Sequence, residues 1–283
     1  YYEFPMNFME KEKPIGVFDS GIGGLTVVRE IMAKLPHERI IYFGDTARVP
    51  YGSKSNETVI EYSLQNAAFL IEKNVKLIVV ACNTASSVAL PALKAKYTVP
   101  VVGMIESGAA YAARETRENK IGVIGTRSTI TNRSYSKELK KINPEFDIYE
   151  KACPLFVPLA EEGWIDHSAT ESIAEEYLRE LAELSIDTLV LGCTHYPILK
   201  PIIQKVMGEK VKLIDSGIAA ASTVSFELDR IGLRSNSNGL GVVSYYVSDI
   251  PSTFEKVASL FLGKTVSHVT KVDVESLVRA AHK

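Results

Sequence analysis

What this chain lacks narrows what it can be. Its apolar runs, such as Leu77 to Cys82, are far shorter than the roughly 20 residues a membrane-crossing helix needs. No signal peptide is visible, so neither export nor a membrane partner is expected. There are only three cysteines, an odd count with no C-x-x-C pair, which argues against a disulfide framework and a zinc ribbon. The thiols are therefore expected to stay reduced, in a cytoplasm. Neither sign of charge dominates: 32 Lys and Arg face 34 Asp and Glu, for a net charge of −2. With no basic stripe either, a nucleic-acid partner is not expected. His37, His167, His268 and His282 are scattered without metal-ligand spacing, so no metal is expected. The dinucleotide fingerprint G-x-G-x-x-G is missing. So is a phosphate-binding loop with a placed Schiff-base lysine, which leaves pyridoxal phosphate without a seat. No cofactor is expected.

What is present is a long alternation of strand-like and helix-like segments. At 283 residues with 46% hydrophobic content, the chain can build two compact domains. Buried strands are predicted at 15–19, 40–45, 77–82, 99–104, 121–125, 147–152, 188–192, 211–215 and 244–248. Between the first two, Leu25, Val28, Ile31, Met32 and Leu35 recur at helical spacing. A second helix is predicted from Asn56, read as its N-cap, with Val59, Ile60, Leu64, Ala67, Leu70 and Ile71 as its apolar face. Ser168 with Glu171, and Ser252 with Glu255, have capping-box spacing, and Gly263 sits where the last of these helices should stop. Pro91 falls inside a helical pattern, so a break is predicted near Leu90. Alternation of this kind predicts an α/β fold of parallel sheets covered by helices.

An internal echo divides the chain further. D-S-G follows a strand at 19–21 and again at 215–217, and each half holds one cysteine just past a strand. This suggests two α/β units related by a pseudo-twofold. Residues 106–213 would form one domain, and 14–105 with 214–283 the other. Residues 1–13, polar and aromatic without period, are read as a flexible extension.

The two cysteines carry the sharpest signal. V-A-C-N-T at 80–84 and L-G-C-T-H at 191–195 each place a thiol where residues of an open α/β sheet line the ligand crevice. A lone buried cysteine is most often an inert small hydrophobe. A pair so placed, each ahead of a helix start that favours thiolate, reads instead as facing acid/base groups. Asn83 and Thr84 follow one thiol, and Thr194 and His195 the other, all able to hydrogen-bond. His195 beside Cys193 also fits a nucleophilic cysteine, and the spacing alone does not separate the two readings. D-S-G-I-G-G at 19–24 is a turn with bare backbone N–H groups, either an anion cradle holding Asp19 and Ser20 or simply a capped helix start. Pro50, Tyr51 and Gly52 form a rigid polar turn. Glu161 and Glu162 read on their own as an exposed helix start, and Cys153 as packing.

Taken in order, I-G-V-F-D-S-G-I-G-G-L-T-V, Y-F-G-D-T-A-R-V-P-Y-G, V-A-C-N-T-A-S, G-V-I-G-T and L-G-C-T-H-Y-P-I-L closely resemble the glutamate racemases, within the wider aspartate/glutamate racemase superfamily. The resemblance runs from about Pro14 to the C-terminal helix. It implies cofactor-independent interconversion of L- and D-glutamate, supplying D-glutamate for peptidoglycan, by a homodimer with the site between its domains. It implies that Cys82 takes the α-proton of D-glutamate and Cys193 that of L-glutamate, assisted by Asp19, His195 and Glu161. It assigns substrate contacts to Asp19, Ser20, Pro50, Tyr51, Gly52, Asn83, Thr84, Thr126, Thr129, Thr194 and His195. The nearest rival is an aspartate racemase or another superfamily member such as a hydantoin racemase. A non-catalytic amino-acid-binding protein and a cysteine hydrolase are the readings from other classes.

Overall fold

The structure, a computed structural model, describes residues 6–250 and 254–281. Among the described residues ten strands form two parallel sheets: β1 (Ile15–Asp19), β2 (Ile40–Gly44), β3 (Leu77–Val80), β4 (Val101–Gly103), β5 (Lys120–Gly125), β6 (Asp147–Ala152), β7 (Thr188–Gly192), β8 (Lys212–Asp215), β9 (Val243–Val247) and β10 (Val269–Lys271). The first sheet has the order β10-β9-β2-β1-β3-β4 and the second β6-β5-β7-β8. All five residues of β1 and of β7 are buried, as continuous apolar strands covered by helices on both faces must be.

Side chains alternate across the sheets. Ile15 and Val17 face a core shared with Leu189 and Leu191 of the second sheet, while Phe18 faces a separate core under the helices Asn56–Glu72 and Asn83–Lys96. The far face of the second sheet buries Val123 and Val190 against Ile105 and Tyr135. Register then decides where the chemistry gathers. Phe18 pairs with Val80 and Asp19 with Gly44, so the loops after β1, β2 and β3 emerge together. Gly125 pairs with Gly192, so Thr126 and Cys193 leave the second sheet side by side.

Each predicted strand is present to within a few residues, but several finer expectations need correction. The helix at Pro91 does not break: it runs unbroken over Asn83–Lys96. Proline removes the N–H that would bond the Ser87 carbonyl. Ser134 Oγ donates to that carbonyl at 3.3 Å instead, and the proline itself is exposed. Ser55, not Asn56, caps its helix, its Oγ accepting from Thr58 N–H at 3.3 Å. His167 takes the place expected of Ser168, its Nδ1 accepting from Ala169 N–H at 3.1 Å. Gly263 does end the helix Phe254–Leu262, at φ 76°, while Ser252 lies outside the described residues.

Within the span read as an extension, Met6–Lys11 forms a short helix. The chain just after it is tied down: the Lys11 carbonyl accepts from buried Lys76, and Glu12 Oε1 from Ser235 Oγ at 2.9 Å. The second sheet also reaches further than residue 213, because β8 pairs with β7 up to Asp215. The D-S-G echo is structural: Gly21 N–H donates to Asp19 Oδ2 at 2.9 Å, and Gly217 N–H to Asp215 Oδ1 at 2.8 Å.

Candidate active site

Loops from both sheets enclose a cavity of about 380 Å³. Of the residues singled out above, Ser20, Pro50, Tyr51, Gly52, Cys82, Asn83, Thr84, Thr126, Glu161, Cys193, Thr194 and His195 line it. Asp19 does not; it is fully buried behind the wall. Thr129 lies behind Thr126, their hydroxyls 3.0 Å apart, and Thr84 Oγ1 completes a cluster at 2.9 Å from Thr126 Oγ1. Sequence reasoning missed Val49, Ser53, Arg127, Pro154, Val157 and Pro158.

The two thiols reach this cavity from different sheets, and each is almost fully buried. Cys82 is the N-cap of the helix Asn83–Lys96: Ala85 N–H donates to its sulfur at 3.4 Å, and the thiol donates to Ser20 Oγ at 3.5 Å. That helix start was expected to favour thiolate. The net effect is opposite, because burial first and the neighbouring Asp19 charge second push the Cys82 thiol up to about 12. Cys82 is thus a thiol at neutral pH. Asp19 itself is raised above the ordinary carboxylate range by burial, against the pull of His195 and of the Gly21, Gly24 and Ser20 N–H groups. Its Oδ1 has no hydrogen-bond partner among the described residues.

Cys193 sits in a different setting. His195 Nδ1 lies 3.8 Å from its sulfur, and His195 Nε2 lies 2.9 Å from Glu161 Oε1. Glu161 closes the helix Phe156–Glu161 rather than starting one, which brings its half-exposed carboxylate over the histidine. Burial opposes a charge on His195, but the bonds and charges of Cys193 and Glu161 outweigh it and raise the imidazole to about 10. The ring is held edge-on against Phe261, centroids 5.2 Å apart.

Two loops acquire reasons the sequence did not suggest. At Gly23 an added Cβ would lie 2.5 Å from the His195 ring and in overlap with Thr194 Oγ1. This glycine therefore permits a close approach between the D-S-G-I-G-G turn and the T-H pair, which Thr26 Oγ1 fastens by donating to the Thr194 carbonyl at 2.9 Å. The Tyr51 hydroxyl is turned away from any ligand: it donates to Asp45 and accepts from Asn66 Nδ2 at 3.0 Å. Arg48 locks the same group through Asp45, at 2.7 Å, and Asn66, at 3.0 Å. The Pro50–Gly52 turn meets the cavity as a braced wall.

A family model described as Asp/Glu/Hydantoin racemase matches residues 24–224. The chain belongs to that racemase family. It is 52% identical over 264 residues to a protein named glutamate racemase from Geobacter metallireducens, covering 93% of this chain and 98% of that one. The crystal structure of glutamate racemase from Francisella tularensis in complex with D-glutamate superposes with a TM-score of 0.88 at 40% identity, over 94% of this chain and 99% of the other. A glutamate racemase isoform from Bacillus anthracis gives a TM-score of 0.90 at 38% identity, over 93% and 98% of the two chains. The expectation of an amino-acid racemase, an isomerase, holds.

In a racemase of this family Cys153 has no evident part. It is fully buried, and its carbonyl accepts from the Tyr196 hydroxyl at 2.9 Å. Cys153→Ser is expected to lower stability by about 1–3 kcal/mol, by burying a hydroxyl, without changing turnover per folded molecule. Denaturant unfolding with an activity assay on the refolded protein checks both; a folded variant without turnover contradicts the assignment.

Proposed function

We propose that this protein interconverts L- and D-glutamate without a cofactor, using Cys82 and Cys193 as acid and base on opposite faces of the α-carbon. One observation carries the reading: two buried thiols from separate sheets open on one cavity of about 380 Å³. The thiols differ in setting, which fits two opposed roles. With L-glutamate bound, Cys193 takes the α-proton, steadied by His195, which Glu161 orients. Cys82, held as a thiol, gives its proton to the other face. With D-glutamate the steps reverse: Cys82 is the base, its proton affinity raised by burial and by the buried Asp19 charge nearby, and Cys193 the acid.

Asp19, Ser20, Pro50, Tyr51, Gly52, Asn83, Thr84, Thr126, Thr129, Thr194 and His195 are proposed to hold the substrate or to brace the groups that do. The two sheets, each with its helices, are proposed as the two domains. The D-glutamate would serve peptidoglycan synthesis in a cytoplasm that keeps both thiols reduced, and the working unit would be a homodimer. Among the described residues no helix is long and apolar enough to cross a membrane.

Circular dichroism of the purified protein with each enantiomer tests the reaction. Both solutions should drift to zero ellipticity with no added cofactor and with EDTA present. Aspartate should turn over poorly, because a shorter chain leaves polar groups of the pocket unpaired. No drift with glutamate, or faster drift with aspartate, overturns the reading.

A further inference from the structure

Tyr135 is among the largest fully buried side chains of the molecule, yet nothing in the sequence singled it out. It sits on the helix Ser134–Ile142, against the second sheet. Two glycines clear its slot: a Cβ at Gly108 would lie 2.9 Å from the phenol oxygen, and one at Gly192 would lie 3.1 Å from the ring. Gly192 directly precedes Cys193, so the ring packs against the strand end that carries one thiol.

The phenol oxygen reaches the neighbour of the other thiol. It donates to Asn83 Oδ1 at 2.7 Å, and Asn83 follows Cys82 at the start of the helix Asn83–Lys96. A second acceptor, the Met104 carbonyl, is farther away at 3.5 Å. Asn83 Nδ2 in turn donates to Ser216 Oγ at 3.4 Å, and that hydroxyl donates to the Leu191 carbonyl at 3.0 Å. All three polar side chains are buried. A carboxamide can turn over and exchange its donor for its acceptor, but these flanking groups permit one orientation. Ser216 has given its proton to Leu191 and can only accept. Burial raises the Tyr135 hydroxyl above the ordinary phenol value, so it stays protonated and donates. Nδ2 carries two hydrogens and Ser216 takes one. Asn83 lines the cavity, so the other is left for a ligand.

From this chain of bonds we infer that Tyr135 is a positioning residue: it acts through Asn83, setting the amide as a hydrogen-bond donor to the substrate before the substrate arrives. The inference rests on the substrate reading above and adds a residue that does not itself line the cavity. A donor already aimed need not be ordered when the ligand lands, which favours binding. Without the phenol proton, Oδ1 is left buried and unpaired. The amide is then free to turn and take the Ser216 proton instead, which costs the donor its aim.

Steady-state kinetics of the full-length protein tests this. Tyr135→Phe, which keeps the ring, should raise KM for glutamate about tenfold, the weaker end of a hydrogen bond to a charged group, and leave kcat near its wild-type value. In an Asn83→Ala background the same change should alter KM by less than about twofold, because the group it acts through is gone. A ring that only supports the fold would impose the same factor in both backgrounds. Equal factors, or an unchanged KM in folded Tyr135→Phe, overturn the inference alone. Should Tyr135→Phe fail to fold, heteronuclear NMR of the wild-type protein decides. The Asn83 Nδ2 hydrogens must exchange slowly without ligand, and one of them must shift on saturation with glutamate; no shift of either overturns the inference. Wild-type protein with no glutamate turnover overturns the substrate reading instead.

Discussion

Cys82→Ala and Cys193→Ala are each expected to lose racemisation in both directions, by at least the 10²–10⁴-fold that one positioned acid/base group is typically worth. Inverting a carbon requires a proton to leave one face and another to arrive at the opposite face, so neither thiol can be spared in either direction. Thermodynamics adds a stricter demand. Two enantiomers have equal free energy in water, so the equilibrium constant is one. Any variant must therefore lower kcat/KM by the same factor from either side, even where kcat and KM separately differ. Removing both thiols should cost little more than removing one, since they act as a unit. Solvent deuterium supplies the second readout: in early turnover the wild-type product should carry label while the remaining substrate does not. A folded Cys82→Ala or Cys193→Ala that keeps a large fraction of wild-type turnover ends the two-thiol reading, and label returning to the starting enantiomer points to one base.

Gly23→Ala should be the most damaging change among residues with no reacting atom. The methyl group would press on the His195 ring 2.5 Å away and on Thr194. The ring has little room to retreat, with Phe261 packed edge-on and Glu161 holding Nε2. Either the turn lifts from the T-H pair or His195 leaves Cys193. A displacement of about 1 Å at a catalytic group can cost 10²-fold, which is the loss in kcat/KM expected here. Overpacking should also remove about 1–3 kcal/mol of stability. Thermal melts and kinetics on the same preparation separate the two effects; turnover close to wild type would show that the contact yields without moving the histidine.

Much of this site was legible because parallel strands deliver their chemistry at their carboxyl ends. D-S-G, P-Y-G, C-N-T and C-T-H all fall there, and register brings them to one cavity. Arg127 obeys the same rule after G-V-I-G-T, so its place was readable, but an arginine after a strand is too common a feature to stand out. What stayed hidden depends on neighbours remote in sequence. The Ser87 carbonyl that Pro91 leaves free finds a serine of the helix Ser134–Ile142, and Gly23 answers to a histidine in the loop after β7 of the other sheet. The high proton affinity of Cys82 follows from burial and Asp19, neither of which local spacing reports. β10 escaped notice because it lies at a sheet edge with Thr270 and Lys271 exposed, and carries no apolar run.

The repeated D-S-G turn has a bearing on handedness. A molecule and its mirror image cannot be overlaid by rotation, yet one pocket must accept both and release both. Both sheets wall the cavity and each brings one thiol to it, so either form meets a thiol from each half. The halves are not fully equivalent, however. Asp215 spends its charge on Lys200, whereas Asp19 keeps an oxygen without a partner among the described residues, behind the cavity wall. Left and right forms should therefore dwell in the pocket for different times while the net flow between them stays balanced.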